Sequence, residues 1–326
     1  MSLAEGAPPS EPSPISLLAH GKLFGRRSGE RPLRVAFFGL PLAALLLHGD
    51  GHEIALAAIS RADAVGLRRA RRLFGSRLLL RPDVDRPELA SRVEALAPDL
   101  LVSWFWTTRL PMSLVRAARL GGIGVHPSLL PRHRGPDPTY WAIASGDAES
   151  GVTAHRIAAE YDTGEILEQE RLPIDPGWTA WQLARALDRP SLRVLRRTVG
   201  RFARGEEVAG VAQDPALATQ APAPDDEACA ICWSWPTERV LRHVRALAPA
   251  PGAWTEIEGA CVIVLRAAPA ASFPEALAPG EAVVEGGVVL VRTGDTAVAL
   301  LEGEIDGEPA SVDELAALVA SGASRG

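Results

Sequence analysis

Cysteine is scarce in this 326-residue chain, which has three: Cys229, Cys232 and Cys261. An odd set gives no disulfide framework of the kind that staples small secreted domains. Cys229 and Cys232 have the spacing of half a zinc site or a redox pair. A structural zinc needs two more ligands, and Cys261 is the one further thiol, so the expectation is two small buried residues opening a second domain. Long apolar runs are also missing, for none approaches the roughly 18 residues of a membrane span. Residues 1–14 are rich in Pro, Glu, Ser and Ala and lack the basic start and apolar core of a secretory signal. These absences point to the cytoplasm. Positive charge is in deficit at a net −6, so no global field gathers nucleic acid and any RNA binding needs a local patch. A dinucleotide fingerprint is absent too. Gly39 follows the first apolar run, but Leu40 and Pro41 do not continue a Gly-x-Gly-x-x-Gly loop.

What is present is a globular composition, 47% apolar and 23% charged, with length for two ordinary domains. Apolar runs at 33–38, 54–59, 78–80, 100–106 and 123–125 read as strands. Helix-length stretches at 42–48, 64–74, 87–96 and 113–120 separate them. That alternation predicts a parallel sheet wound by crossover helices, with its ligand site beyond the carboxyl ends of the strands. Trp104, Phe105, Trp106 and His126 fall there. A long helix over 179–204 closes the domain, and Pro190 is expected to break or kink it. The Ala-, Pro- and Asp-rich stretch 206–228 reads as a linker. Beyond it lie a helix at 236–247 and short strands at 253–257, 261–267, 282–285, 288–292 and 297–301, the pattern of a small antiparallel barrel. The expected fold class is therefore α/β, a Rossmann-like parallel-sheet domain followed by an OB-like antiparallel β-barrel. The division is a flexible tail over 1–32, a catalytic domain over 33–205, a linker over 206–228 and the barrel over 229–326.

The most informative stretch is residues 122–167, GIGVHPSLLPRHRGPDPTYWAIASGDAESGVTAHRIAAEYDTGEIL. His126 ends a short apolar run, and Asp162 sits in a Tyr-Asp-Thr-Gly turn after a second one. A histidine and an acid on neighbouring loops suit acid–base work on an acyl group. His133 and His155 read as structural or solvent-facing. His126, His133 and His155 lack a fourth-ligand pattern, so no metal is expected.

The stretch closely resembles the core motif of the folate-dependent formyltransferases. Together with the segments around Ile231, Val244 and Val291, which are similar to the carboxyl-terminal barrel of methionyl-tRNA formyltransferases, the resemblance spans about residues 33–318. It implies formyl transfer from 10-formyltetrahydrofolate, as co-substrate, to a primary amine. His126 and Asp162 match the family's catalytic histidine and aspartate. The position of the family's asparagine, two residues before the histidine, is Gly124. Loss of one oxyanion-type donor typically costs on the order of a hundred- to a thousandfold in rate. The resemblance makes Ser128, Leu129, Leu130 and Pro131 the folate cradle. Trp104, Phe105, Trp106 and Tyr161 are candidate walls of the same pocket, the tryptophans and phenylalanine reading equally well as core aromatics.

For the acceptor, Arg68, Arg69, Arg71, Arg72 and Arg77 form a basic cluster that could grip phosphates or be a solvated helix face. Arg68, Arg69 and Arg72, with Arg134, are the candidate substrate-binding residues. Against a polyanion, acids outnumber arginines about two to one from Cys229 onward. Three readings follow: an enzyme acting on initiator methionyl-tRNA, one acting on a small amine such as an amino sugar, and a folate-binding protein with little transferase activity because of Gly124.

Overall fold

Strand formation begins where apolar residues become continuous. Arg34–Gly39 (β1) buries five of its six residues, as expected of a strand covered on both faces. In the computed structural model, which describes residues 29–323, β1 is followed by the helix Pro41–Gly49 (α1), with its proline in the first turn. Then come Glu53–Ile59 (β2), Leu67–Phe74 (α2), Leu78–Leu80 (β3) and Pro87–Ala95 (α3). Leu100–Trp104 (β4), Met112–Arg116 (α4) and Gly122–His126 (β5) complete a parallel ladder in the order β3-β2-β1-β4-β5. Phe38, Leu56, Leu101 and Leu114, all fully buried, are among the residues that pack the core on one face. Each such side chain contributes about 1.5–3 kcal/mol by leaving water.

Gly39 has a packing reason rather than a phosphate-binding one. It pairs with Trp104 across the ladder, and a Cβ built there would lie 1.9 Å from the Trp104 carbonyl oxygen. Its φ of 145° adds a second barrier to any side chain.

The chain divides into two compact units. One comprises Met1–Val125, Arg156–Ala159 and Leu192–Gly210; the other comprises His126–His155, Glu160–Ser191 and Val211–Gly326. The units are interleaved along the sequence, a different division from the expected 33–205, 206–228 and 229–326. Most of the expected tail lies outside the described residues. Its end, from Gly29, does not: Glu30 is buried and paired with Arg204 at 3.0 Å, and the Arg31 N–H donates to the Ala203 carbonyl.

In the second unit, Pro138–Ser145 (α5) leads into the antiparallel hairpin Glu149–Arg156 (β6) and Ile166–Pro173 (β7). Asp137 caps α5, its carboxylate accepting the Tyr140 N–H. Gly146 ends the helix in the left-handed region, and the N–H groups of Gly146 and Asp147 bond back to Ile143 and Ala142. That stop fixes the direction in which Asp147 leaves the helix. The long helix Ala180–Ala203 (α6) runs through Pro190 unbroken, against expectation. Leu183, Leu187, Val194, Leu195 and Val199 are fully buried along it, so packing on both sides of the proline outweighs the one backbone bond lost. Trp181, at the start of the helix, is 57% exposed beneath the Arg185 guanidinium.

The short helix Asp226–Cys229 (α7) and Thr237–Leu247 (α8) precede Ala253–Ile257 (β8), Ala260–Pro269 (β9), Ala282–Glu285 (β10), Val288–Arg292 (β11) and Ala297–Ile305 (β12). These pair antiparallel in the order β10-β11-β12-β9-β8, with Glu308–Ala310 (β13) on β12 and a final helix, Val312–Ala323 (α9). The strand positions and the antiparallel pairing agree with the sequence reading, which did not include β13 and α9. Cys229 is buried as expected, whereas Cys232 and Cys261 are exposed. Among the described residues no helix is long and apolar enough to cross a membrane, and no group of His, Cys, Asp and Glu is arranged to hold a metal ion.

Two stability predictions follow from these packings. In the first unit the buried Asp50 carboxylate takes two bonds, of 2.7 and 2.5 Å, from the largely buried Arg196. Asp50→Ala strands that guanidinium and is expected to cost about 3 kcal/mol in denaturant unfolding; a loss below about 0.5 kcal/mol would contradict a structural role. Burial pushes the Asp137 carboxyl above the ordinary carboxylate range, against the opposing bond from the Tyr140 N–H. A raised acid binds its proton more readily folded than unfolded, so its contribution to stability is present at low pH and lost as pH rises. Asp137→Asn keeps an acceptor for the Tyr140 N–H and removes the buried charge. Its melting temperature should exceed wild type at pH 7, with the advantage shrinking as pH falls toward about 4. An advantage independent of pH would refute that origin.

Candidate active site

His126 is the last residue of β5 and is buried. Its Nε2 lies 2.8 Å from the backbone carbonyl oxygen of His133. A carbonyl only accepts, so Nε2 carries the hydrogen and donates it. The other ring nitrogen, Nδ1, is thereby the one left to take up and release a proton. It faces Asp162, at 3.6 Å from Oδ2. That is longer than a hydrogen bond, so sharing a proton requires the pair to close by several tenths of an ångström.

Asp162 is held by its surroundings rather than by local preference. Its φ is 54°, in the left-handed region that costs a non-glycine residue about 1–3 kcal/mol. The Gly135 N–H donates to Oδ2 at 2.9 Å, and His155 Nε2 lies 3.5 Å from Oδ1. The carboxylate therefore sits between two buried imidazoles, with its side chain 17% exposed. His155, expected to be structural or solvent-facing, is buried in this cluster.

His133 links the cluster to α5. It is buried and left-handed, with φ 58°, and its Nε2 bonds Asp147 at 2.8 Å. Asp147 also takes a 2.6 Å bond from Arg132. Burial pushes the Asp147 carboxyl up, but the bonds and charges of His133 and Arg132 prevail and hold it below its usual range.

The 128–131 loop is pinned from beneath by Thr153, which sequence reading missed. Its hydroxyl donates to the Ser128 carbonyl at 2.7 Å and accepts from the Leu130 N–H at 3.1 Å and from Gln169 at 2.9 Å. One donor and two acceptor positions are thus all used. The Ser128 hydroxyl closes the loop on the Arg132 carbonyl at 2.7 Å. Leu129, Leu130 and Pro131 line a cavity of about 550 Å³, within the range of small-molecule pockets, and His133 is also on its wall. His126 and Asp162 do not line this cavity.

The remaining expected site residues distribute as follows. Gly124 is buried on β5 opposite Ser103 of β4, two residues ahead of His126 and so on its side of the strand. Trp104 is buried, with the Phe105 ring 4.4 Å away, and Trp106 packs edge-on against Phe38 at 5.6 Å. Tyr161 is 51% exposed in the turn that carries Asp162. Arg68, Arg69, Arg71 and Arg72 are exposed on α2, opposite its buried residues Leu67, Ala70 and Phe74. Arg77 leaves the basic cluster, since its guanidinium donates to the carbonyls of Ile54, Leu73 and Phe74. Arg134 donates two bonds, of 3.0 and 2.7 Å, to the side-chain oxygen of Gln213.

Known proteins carry both the sequence and the fold. Residues 54–199 match the family described as formyl transferase, and residues 225–317 match the formyl transferase C-terminal domain. The chain is 35% identical over 295 residues to the methionyl-tRNA formyltransferase of Anaeromyxobacter dehalogenans strain 2CP-C, covering 85% of this chain and 94% of that one. It is 36% identical over 222 residues to the methionyl-tRNA formyltransferase of Koribacter versatilis, covering 68% and 70%. Among solved structures, HypX from Aquifex aeolicus in complex with tetrahydrofolic acid superposes with a TM-score of 0.59 at 22% identity, over 84% of this chain and 44% of that one. The Helicobacter canadensis N-formyltransferase, in complex with folinic acid and dTDP-3-aminofucose, gives 0.61 at 14% identity, over 82% and 98%. At such identities the two structures speak for the fold alone. Sequence matches across both parts of the chain settle the lineage: this protein belongs to the formyl transferase family.

Proposed function

We propose that this protein transfers a formyl group from 10-formyltetrahydrofolate to a primary amine, with His126 and Asp162 as the catalytic pair. The observation that carries the reading is the buried Nδ1 of His126 facing the Asp162 carboxylate at 3.6 Å, its tautomer set by the His133 carbonyl. In the reaction the amine nitrogen bonds the formyl carbon, the bond from that carbon to the folate nitrogen breaks, and the amine proton moves to the departing nitrogen. Nδ1 and Asp162 carry that proton. The imidazolium formed when Nδ1 is protonated rests between the His133 carbonyl and the carboxylate, and its charge stabilises the oxyanion. Residues 128–131, Trp104, Phe105, Trp106 and Tyr161 are the proposed folate contacts.

For the acceptor we favour initiator methionyl-tRNA. The naming of the sequence relatives and the exposed arginines of α2 support it. A small amine such as an amino sugar is the second reading, supported by the excess of acids after Cys229. The third is folate binding with little transfer, motivated by Gly124. The cytoplasm is the proposed location.

The test is incubation of purified protein with 10-formyltetrahydrofolate and either charged initiator tRNA or a panel of amines. Formylation of the tRNA that weakens steeply with added salt supports the first acceptor; transfer confined to small amines replaces it with the second. His126→Ala and Asp162→Ala should each leave folded protein with transfer reduced at least about a hundredfold. Near-normal turnover in either variant refutes the catalytic assignment. Gly124→Asn should raise the rate by about a hundredfold if glycine merely weakens the oxyanion site; no transfer in either form favours the folate-binding reading.

A further inference from the structure

Residues 211–221 fall within the stretch expected to be a linker, yet they hold Asp162 directly and His126 through His133. At one end Gln213 reaches the turn that carries Asp162. Its side-chain nitrogen donates to the backbone carbonyls of Asp162 and Gly164, each at 2.7 Å. Its side-chain oxygen accepts both bonds from Arg134, which has only donors. The amide therefore has one workable orientation, with the nitrogen toward the turn. Val211 adds a two-bond bridge to Ile166 just beyond that turn.

At the other end, Thr219 takes the His133 N–H on its hydroxyl at 2.8 Å and the Arg134 N–H on its carbonyl at 2.9 Å. The Ala221 N–H returns a 2.6 Å bond to the Arg134 carbonyl, and the Asp137 N–H donates to the Ala221 carbonyl at 3.1 Å. Gly135 is so close to this run that a Cβ there would lie 2.8 Å from the Ala221 carbonyl oxygen. Both tethered residues, His133 and Asp162, are non-glycine residues in the left-handed region. Such conformations persist only where the surroundings over-determine them. His133 holds Nε2 of His126 and Asp162 faces Nδ1, so the two tethers act on opposite sides of one imidazole.

We infer that segment 211–221 is a catalytic strap, with Gln213 and Thr219 as positioning residues that set the distance and tautomer of the His126–Asp162 pair. This rests on the proposed formyl transfer at that pair. Gln213 works through the Asp162 turn, and Thr219, which also lines the cavity at residues 129–131, through the His133 carbonyl. Misplacement of a reacting group by about 1 Å can cost a hundredfold, so a relaxed turn should depress turnover without weakening folate binding.

The test uses the full chain with Gln213→Ala, Gln213→Met and Thr219→Val. Gln213→Ala should lower kcat about tenfold or more while the folate KM stays within about twofold. Gln213→Met retains bulk without either hydrogen bond and should behave alike, which keeps the test open if the alanine variant folds poorly. In an Asp162→Asn background Gln213→Ala should add little, because its effect runs through that carboxylate. Wild-type kcat in the folded Gln213 variants, or an undiminished penalty in the Asp162→Asn background, would overturn the inference. A readout independent of turnover is the NMR tautomer state of the His126 ring, which carries its hydrogen on Nε2 toward the His133 carbonyl in wild type. Thr219→Val should lower the Nε2–H fraction, and an unchanged tautomer in the folded variant would overturn the role given to Thr219. Absence of formyl transfer by wild type would sink the functional reading, while this tautomer readout would still judge the strap.

Discussion

One hydrogen bond organises the site: Nε2 of His126 donating to the backbone carbonyl of His133. A side-chain acceptor could rotate or take up a proton, whereas a peptide carbonyl can do neither. The bond therefore assigns the reactive lone pair of the imidazole to Nδ1, on the Asp162 side. From that assignment follows the division of labour in the cluster, with one nitrogen anchored and the other facing an acid. The anchor itself rests on α5, because the side chain of His133 is tied to Asp147, and Asp147 is aimed by the glycine stop at Gly146. A helix ending thus reaches the His126 imidazole through two residues.

Much of the architecture was legible because burial on both faces writes itself as continuous apolar sequence. The strands β1, β2 and β4 could be placed from such runs, and those of the carboxyl-terminal sheet from short apolar stretches between turn residues. The hairpin strand β7 was not, since its sequence, ILEQERLP, mixes charge with aliphatic residues and only Leu167 is buried. Pro190 misled in the other direction. Local propensity predicts a break there, and the buried leucines and valines on either side of it override the proline. Gly39 was visible but not interpretable, because its neighbour in space, Trp104, lies 65 residues away in sequence.

The site divides similarly. His126 and Asp162 were singled out from motif and spacing, as residues whose chemistry is intrinsic to their side chains, and they lie 3.6 Å apart. The residues that hold them were not. Thr153, Gln213 and Thr219 are ordinary polar residues whose importance lies in the particular backbone groups they satisfy, and that of Asp147 lies in the His133 and Arg132 side chains it pairs. His155 read as structural or solvent-facing, and it lies 3.5 Å from the carboxylate already singled out. Arg134 was read as a hand for substrate and two of its N–H groups hold Gln213. Sequence patterns report what a residue can do; hydrogen-bond accounting reports what it is committed to.

The attachment of residues 211–221 has a consequence for recombination within this family. A chimera joined at residue 205, where composition invites the cut, would import a foreign connector along with its new carboxyl-terminal domain. The donor's side chains would then stand where Gln213 and Thr219 meet the host's turns. Crossing over after Ala221 would keep the host's own fastening intact and exchange the antiparallel sheet with its helices. If the strap acts as proposed, the better border for such a join lies past the connector, not before it.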